Sequence, residues 1–230
     1  PVEIEMADRR ASPGAEIVVG SVQTLARQRK NLDGFRPDII VIDEYHHYSE
    51  ENVQYDGLLK RWESAKVLGL TATPYRFSGQ NLPLGQVLIQ MDIGTAVEKG
   101  YLVPPKAEPL LSSVSLADVK SRMGDFAIKE LSEAVNVEAR NRLIADRVIE
   151  YIRNGRQGIL FAVDVDHSKA MAEILRKEVR VGEVYGDTPT EERRELMKKI
   201  RNGDIDILTN NLVACEGFDV PHLSFVAMAR

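Results

Sequence analysis

The run Ile39–Ile42 contains four consecutive aliphatic residues and is followed at once by two carboxylates. Two further apolar runs flank it, at 16–21 and 66–73. Continuous runs of this length are typical of parallel strands covered on both faces, because a strand with one solvated face alternates apolar and polar residues. Between the last two runs, Leu58 and Trp62 lie at helical spacing. The order strand, helix, strand predicts an α/β fold.

A second unit of the same kind is predicted after a break rich in glycine and proline, between residues 92 and 109. Apolar runs predict strands at 158–163, 181–186, 205–210 and 223–229, and helical patterns predict helices at 128–135, 143–152, 167–178 and 190–201. The tetrapeptide Thr188-Pro189-Thr190-Glu191 predicts a capping box that begins the last of these helices. We expect one domain at 1–105, a connector at 106–135 and a second domain at 136–230.

The composition excludes several classes of protein. The 230 residues are 43% hydrophobic and carry a net charge of −5, which disfavours both an unfolded chain and a broadly basic nucleic-acid coat. The single cysteine, Cys215, excludes an internal disulfide and fits a reducing compartment, so we expect a cytoplasmic protein. No apolar run approaches the ~20 residues of a membrane-spanning helix, and we expect no membrane partner.

Polar side chains follow two of the predicted strands at the point where each strand ends. Asp43 and Glu44 come directly after the four aliphatic residues, and Thr71 and Thr73 end the next run. Because parallel strands bind ligands beyond their carboxyl ends, we expect these side chains to line one edge of a sheet. A carboxylate pair there fits Mg²⁺ binding and activation of a water for phosphoryl transfer. Taken alone, the pair fits equally well an acidic strand end that caps the next helix.

Five segments, in order along the chain, resemble the motifs of superfamily 2 helicases. They are SVQTL at 21–25, VIDEYHHYS at 41–49, LGLTATPYR at 68–76, GILFAVDVDHSKAMAEIL at 158–175, and the run from VYGD to FDVP at 184–221. The second resembles the Walker B (DExH) motif, the third resembles the TAT motif, and the last two resemble motif IV and the run through motif V. The chain is thus similar to DEAD/DEAH-box helicases of the Ssl2-type group of bacteria, archaea and phages. The resemblance implies two incomplete RecA-like domains of the P-loop NTPase type.

The resemblance also implies roles for residues of the first domain, with ATP and Mg²⁺ as cofactors. Asp43 would hold the metal through water, and Glu44 would be the catalytic base. His46 would couple the nucleotide site to the other domain. Thr71 and Thr73 would link the state of ATP to the grip on nucleic acid.

Nucleotide and nucleic-acid contacts are implied in the same way. Gly217 and Asp219 would lie in motif V, on the nucleotide-facing edge of the second domain. Thr24 and the loop after Phe161 would contact the nucleic-acid backbone. Such contacts carry little sequence information, as a translocating enzyme requires. We expect DNA as the partner, with RNA as the alternative.

Two features depart from the family pattern. Tyr45 occupies the third DExH position, where a small residue is usual, so its ring must find room beside the nucleotide or point away. No G-x-x-x-x-G-K-[ST] phosphate loop occurs in the sequence, which begins with Pro1 and stops before the arginine-rich final motif of the family. We therefore expect a helicase fragment that is inactive as an isolated chain.

Three hypotheses about function remain open. The first is an ATP-dependent helicase or translocase that couples ATP hydrolysis to duplex unwinding. The second is a helicase-like scaffold that binds nucleic acid without hydrolysis. The third is the motor portion of a restriction enzyme, which shares these motifs.

Overall fold

The computed structural model describes residues 1–6, 8–27, 30–48, 52–73, 85–115, 117, 119, 121–122, 125–211 and 220–229. The chain divides into two compact units, Pro1–Val103 (unit 1) and Pro104–Arg230 (unit 2). Within the described ranges, no helix is long and apolar enough to cross a membrane.

Unit 1 is built from two parallel two-stranded ribbons and short helices. In chain order its elements are β1 (Val2–Glu5), β2 (Ile17–Gly20), α1 (Val22–Leu25), β3 (Ile39–Ile42), α2 (Val53–Arg61), β4 (Lys66–Gly69) and α3 (Ile93–Glu98). Strand β1 pairs with β2, and β3 pairs with β4. Ile42 lies opposite Gly69, so the segments that follow β3 and β4 leave the ribbon at the same edge.

The faces of β3 are not equally covered. Ile39 and Val41 share one face and are 58% and 56% exposed, whereas Ile42 on the other face is only 4% exposed. The continuous apolar run predicted coverage of both faces, and for β3 this prediction is wrong within the described part of unit 1. Alternation of side chains along the strand explains the difference, because only one face meets the packed side of the unit.

Unit 2 contains a four-stranded parallel sheet. In chain order its elements are β5 (Ser121–Arg122), β6 (Asp125–Phe126), α4 (Ile128–Val135), α5 (Glu138–Arg153), β7 (Gln157–Phe161), α6 (Val165–Leu175), β8 (Val181–Val184), α7 (Thr190–Arg201), β9 (Ile207–Asn210) and β10 (Leu223–Met228). The order of the sheet is β10, β7, β9, β8, and every pair in it is parallel. The four strands of the sheet and helices α4 to α7 lie where the sequence pattern predicts them, apart from shifts at their ends, whereas β5 and β6 were not predicted. The predicted α/β fold is confirmed.

Helices cover both faces of this sheet, as the apolar runs predict for unit 2. Leu160 and Ile207 belong to a buried cluster formed with side chains of α5 and α6. Their neighbours Ile159 and Leu208 point the other way and pack with Ile200 of α7. Consecutive residues of one strand therefore enter different layers of the core, which explains why β7 and β9 each contain consecutive apolar residues.

The predicted capping box at the start of α7 is wrong. The helix begins one residue later than a Thr188 cap requires, with Pro189 at its N-cap and no side-chain cap hydrogen bond. The Thr188 hydroxyl instead accepts the Tyr185 N–H at 2.8 Å, and Arg193 donates to the carbonyls of Tyr185 and Thr188 at 2.9 Å each. The polar groups at this terminus thus close a turn rather than cap a helix.

A buried histidine joins α5 to α6. His167 is fully buried; its Nδ1 accepts the Val163 N–H at 3.4 Å, and its Nε2 lies 3.1 Å from Oδ1 of Asn141. These partners require a neutral ring that carries its proton on Nε2. Burial, together with the charge of Arg140, lowers the pKa of His167 to about 4.

Candidate functional site

The acidic pair lies at the carboxyl end of β3, as the sequence predicts. Asp43 is exposed, and its Oδ1 accepts the Glu44 N–H at 2.9 Å. A solvated carboxylate oxygen fits Mg²⁺, because this ion keeps several waters and needs few protein ligands. The residues present therefore fit a water-mediated metal held by Asp43.

The backbone of Glu44 is in the left-handed region, with φ 50° and ψ 49°. It is the one non-glycine residue with positive φ in the part of the chain that the structure describes. This conformation costs ~1–2 kcal/mol for a residue with a Cβ atom and persists only where its surroundings impose it. Strain of this kind at a predicted catalytic base is consistent with a functional site.

His46 connects the ends of β3 and β4. Its Nδ1 lies 3.0 Å from Oγ1 of Thr71 and 3.3 Å from Oε2 of Glu44. The Thr71 hydroxyl donates to the Thr73 carbonyl at 3.0 Å and accepts the Thr73 N–H at 3.1 Å. With its proton on Nδ1, His46 donates to the Thr71 hydroxyl and to the Glu44 carboxylate, both of which can accept. Four of the predicted site residues are thus brought together at one edge.

Tyr45 finds room over a glycine of the neighbouring strand. A Cβ atom built on Gly69 would lie only 2.6 Å from Cγ of Tyr45, so the ring occupies the place where a larger residue would project. The Tyr45 ring also stacks on Tyr48 at 5.1 Å between centroids. Gly69 is not among the residues predicted for the site, although a glycine inside an apolar strand indicates close approach by another group.

Thr24 lies in the short helix that follows β2 and is almost completely buried, at 8% exposure. It belongs to α1, and its hydroxyl accepts from that of Ser21 at 2.9 Å. Ser21 is the N-cap of this helix and is partly exposed. The hydroxyl group at the surface of the SVQTL segment is therefore that of Ser21, a residue that the sequence analysis did not select.

Phe161 ends β7, and the loop that follows it is short and well bonded. Its carbonyl accepts the Ala229 N–H at 2.9 Å, and the Ala162 N–H donates to Asn210 at 2.8 Å. Asp164 caps α6 by accepting the His167 N–H at 2.8 Å. Gly217 and Asp219, the predicted nucleotide contacts of motif V, lie outside the described residues.

The fold of the chain is RecA-like. Over its whole length it is similar to the solved structure of Saccharomyces cerevisiae Dbp5 bound to RNA and ADP BeF3, with a TM-score of 0.56, 17% sequence identity and 55% of that chain covered. Two family matches follow the two units: residues 2–76 match the family described as "Type III restriction enzyme, res subunit", and residues 140–230 match "Helicase conserved C-terminal domain".

The two matches together support a superfamily 2 helicase of the DExH type. Among the chain's relatives, the Saccharomyces cerevisiae protein named "Putative ATP-dependent helicase IRC3" is 25% identical over 94% of this chain and 33% of the relative. The Sulfurisphaera tokodaii protein named "DNA 3'-5' translocase XPB2" is 25% identical over 80% of this chain and 49% of the relative. The chain thus spans one third to one half of the length of these relatives.

Proposed function

We propose that the chain forms the part of an ATP-dependent helicase or translocase that activates the attacking water and couples hydrolysis to nucleic acid. The observation that carries this proposal is the placement of His46, whose Nδ1 lies within 3.3 Å of Glu44 and 3.0 Å of Thr71. One imidazole thereby contacts both the predicted catalytic base and the predicted coupling segment.

In this proposal the carboxylate of Glu44 accepts the proton of the water that attacks the terminal phosphate of ATP. Asp43 holds Mg²⁺, which supplies charge stabilisation for phosphoryl transfer when it is bound. The Nδ1–H of His46 orients the Glu44 carboxylate, because the two groups are 3.3 Å apart and opposite in polarity. Gly217 and Asp219 would complete nucleotide binding from the second domain.

Coupling to nucleic acid would pass through Thr71 and Thr73. A change in the position of Glu44 on hydrolysis moves the imidazole of His46, and the 3.0 Å hydrogen bond to Thr71 transmits this movement to the segment that follows β4. We place the ATP-binding domain at 1–105, the connector at 106–135 and the second domain at 136–230.

We propose DNA as the nucleic acid, since a relative is named as a DNA translocase. The net charge of −5 favours a few local contacts. We assign them to the loop after Phe161 and to the SVQTL segment, where Thr24 is covered and Ser21 offers the surface hydroxyl. A small number of phosphate contacts predicts a modest dependence of binding on salt. The single cysteine supports a cytoplasmic location.

The proposal is tested by phosphate release from the full-length protein with ATP and Mg²⁺, alone and with single-stranded DNA or RNA. Release of phosphate stimulated by DNA supports the proposal. Preferential stimulation by RNA would identify RNA, rather than DNA, as the substrate. Binding of nucleic acid without phosphate release would instead identify a scaffold.

The match of residues 2–76 to a restriction-enzyme subunit favours a second candidate, the motor of a restriction enzyme. Both candidates use the same hydrolysis step at Glu44. Incubation of the full-length protein with circular duplex DNA, ATP and Mg²⁺ separates them, because a restriction enzyme produces ATP-dependent strand breaks and a helicase does not.

A further inference from the structure

The Tyr45 ring lies between the strand that carries the TAT motif and helix α2. It covers Gly69, where all three of the nearest ring atoms are within 3.0 Å of the position that a Cβ would take. It also stacks on Tyr48, with the two rings within 5° of parallel. The Tyr48 ring in turn makes an edge-to-face contact with Tyr55, which is buried in α2. These contacts with Gly69 and Tyr48 hold the ring in place.

The main chain at Tyr45 is held at the same place. Its N–H donates to the Leu70 carbonyl at 2.8 Å, and the Leu70 N–H donates to the Ile42 carbonyl at 2.9 Å. Tyr45 directly follows Glu44, whose left-handed backbone conformation persists only where the surrounding structure holds it. It also directly precedes His46 in the 3₁₀ turn Tyr45–His47. A shift of the Tyr45 ring would therefore move both neighbours.

We propose that Tyr45 is a positioning residue, whose ring, fitted over Gly69, holds Glu44 in its left-handed conformation and presents His46 to Thr71. Only the expected effect of Tyr45 on catalysis rests on the proposed function, and its effect on the positions of Glu44 and His46 does not. The ring, rather than the phenol oxygen, makes the contacts with Gly69 and Tyr48 on which the argument depends. Phenylalanine at position 45 should therefore retain the positioning role, and alanine should lose it.

The structural part is tested on the 230-residue chain by NMR. The Nδ1 chemical shift of His46 reports its contact with Thr71. The hydrogen-exchange rate of the amide at position 45 reports its hydrogen bond to the Leu70 carbonyl. Y45A should change both, while Y45F and the exposed-site control Y101A should leave both unchanged. G69A should disturb both in the presence of Tyr45, because the added methyl group meets the ring.

A double variant separates positioning from general damage to the fold. In Y45A the ring is gone, so adding G69A should cause little further change in either NMR signal. If G69A has the same effect with and without Tyr45, or if Y45A leaves the His46 signal unchanged, the inference is overturned.

The catalytic part is tested by phosphate release from the full-length protein, with rates divided by the stoichiometry of nucleotide binding so that unfolded molecules do not count. Y45A should lower kcat about tenfold to a hundredfold, as a small misplacement of a catalytic group does, and leave the KM for ATP within about twofold. Y45F should restore wild-type kcat. Wild-type kcat in Y45A overturns the inference. If the wild-type protein releases no phosphate, the proposed function fails, and the NMR comparison alone decides whether Tyr45 positions its neighbours.

Discussion

The Nδ1 atom of His46 lies 3.0 Å from the hydroxyl oxygen of Thr71, across the edge shared by β3 and β4. The two residues are 25 positions apart in the sequence and belong to different motifs. With its proton on Nδ1, His46 is the donor in this contact. The histidine of the DExH motif is therefore bonded directly to the first threonine of the TAT motif.

Replacing Thr71 by valine removes this hydrogen bond and keeps the shape of the side chain. We expect nucleic-acid-stimulated phosphate release to fall about tenfold, the effect of losing ~1.4 kcal/mol of transition-state stabilisation, while ATP binding is retained. T71S keeps the hydroxyl and serves as the control. The combined variant H46A/T71V should be no worse than the poorer single variant, because both remove the same contact. Fully additive losses would show that the two residues act independently.

Replacing Glu44 by glutamine should lower the turnover of ATP by ~10²–10⁴-fold, because it removes a proton acceptor and preserves the size of the side chain. Nucleotide binding, measured by equilibrium titration in the presence of Mg²⁺, should change little. D43N should weaken the Mg²⁺-dependent part of binding as well, since Asp43 is the proposed metal anchor. The exposed Glu63 offers a matched control, and E63Q should behave as wild type. Wild-type turnover in E44Q would exclude Glu44 as the base.

The buried His167 should make stability depend on pH. Its pKa is about 4 in the folded protein and 6.5 in the unfolded chain, so between these values the unfolded chain binds more protons. The contribution of the neutral His167 ring to the free energy of unfolding is complete above pH 6.5. As the pH falls toward 4, this free energy decreases by about 3 kcal/mol. Urea unfolding followed by circular dichroism measures this loss.

Other groups also titrate in this range, so the informative quantity is the difference between variants. The free energy of unfolding of H167Q should fall less steeply between pH 6.5 and 4 than that of the wild type. His222 is exposed, and H222Q should retain the wild-type slope. Equal slopes for H167Q and the wild type would mean that His167 is not kept neutral by the fold.

Glu108 ties the connector to α5. Its Oε2 accepts hydrogen bonds from Arg147 at 2.8 Å and from the Tyr151 hydroxyl at 2.6 Å. Both hydrogen bonds lower the pKa of Glu108, and the one from Arg147 has the larger effect. We expect E108A to increase hydrogen exchange several-fold in the backbone around residue 108, because a segment that loses its contacts opens more often. The exposed Glu98 provides the control E98A. Unchanged exchange in E108A would show that this contact does not hold the connector.

Much of the fold could be predicted because its causes are local. The aliphatic runs that become β3, β7 and β9 are apolar over consecutive residues, and helices such as α5 repeat their apolar residues at helical spacing. The shared edge occupied by Asp43, Glu44 and Thr71 followed from the same pattern, since parallel strands end on the same side of a ribbon.

The sequence alone determined the α/β fold, the alternation of its longer strands and helices, and the polar residues that end the strands, because hydrophobic periodicity and residue type specify these within a few neighbours. The tertiary structure alone decided where the Tyr45 ring goes and which groups His46 contacts. Each of these depends on which distant group occupies the adjacent space: Gly69 for Tyr45, and Thr71 for His46. Such contacts form only when β3 and β4 pair, and no local pattern contains them.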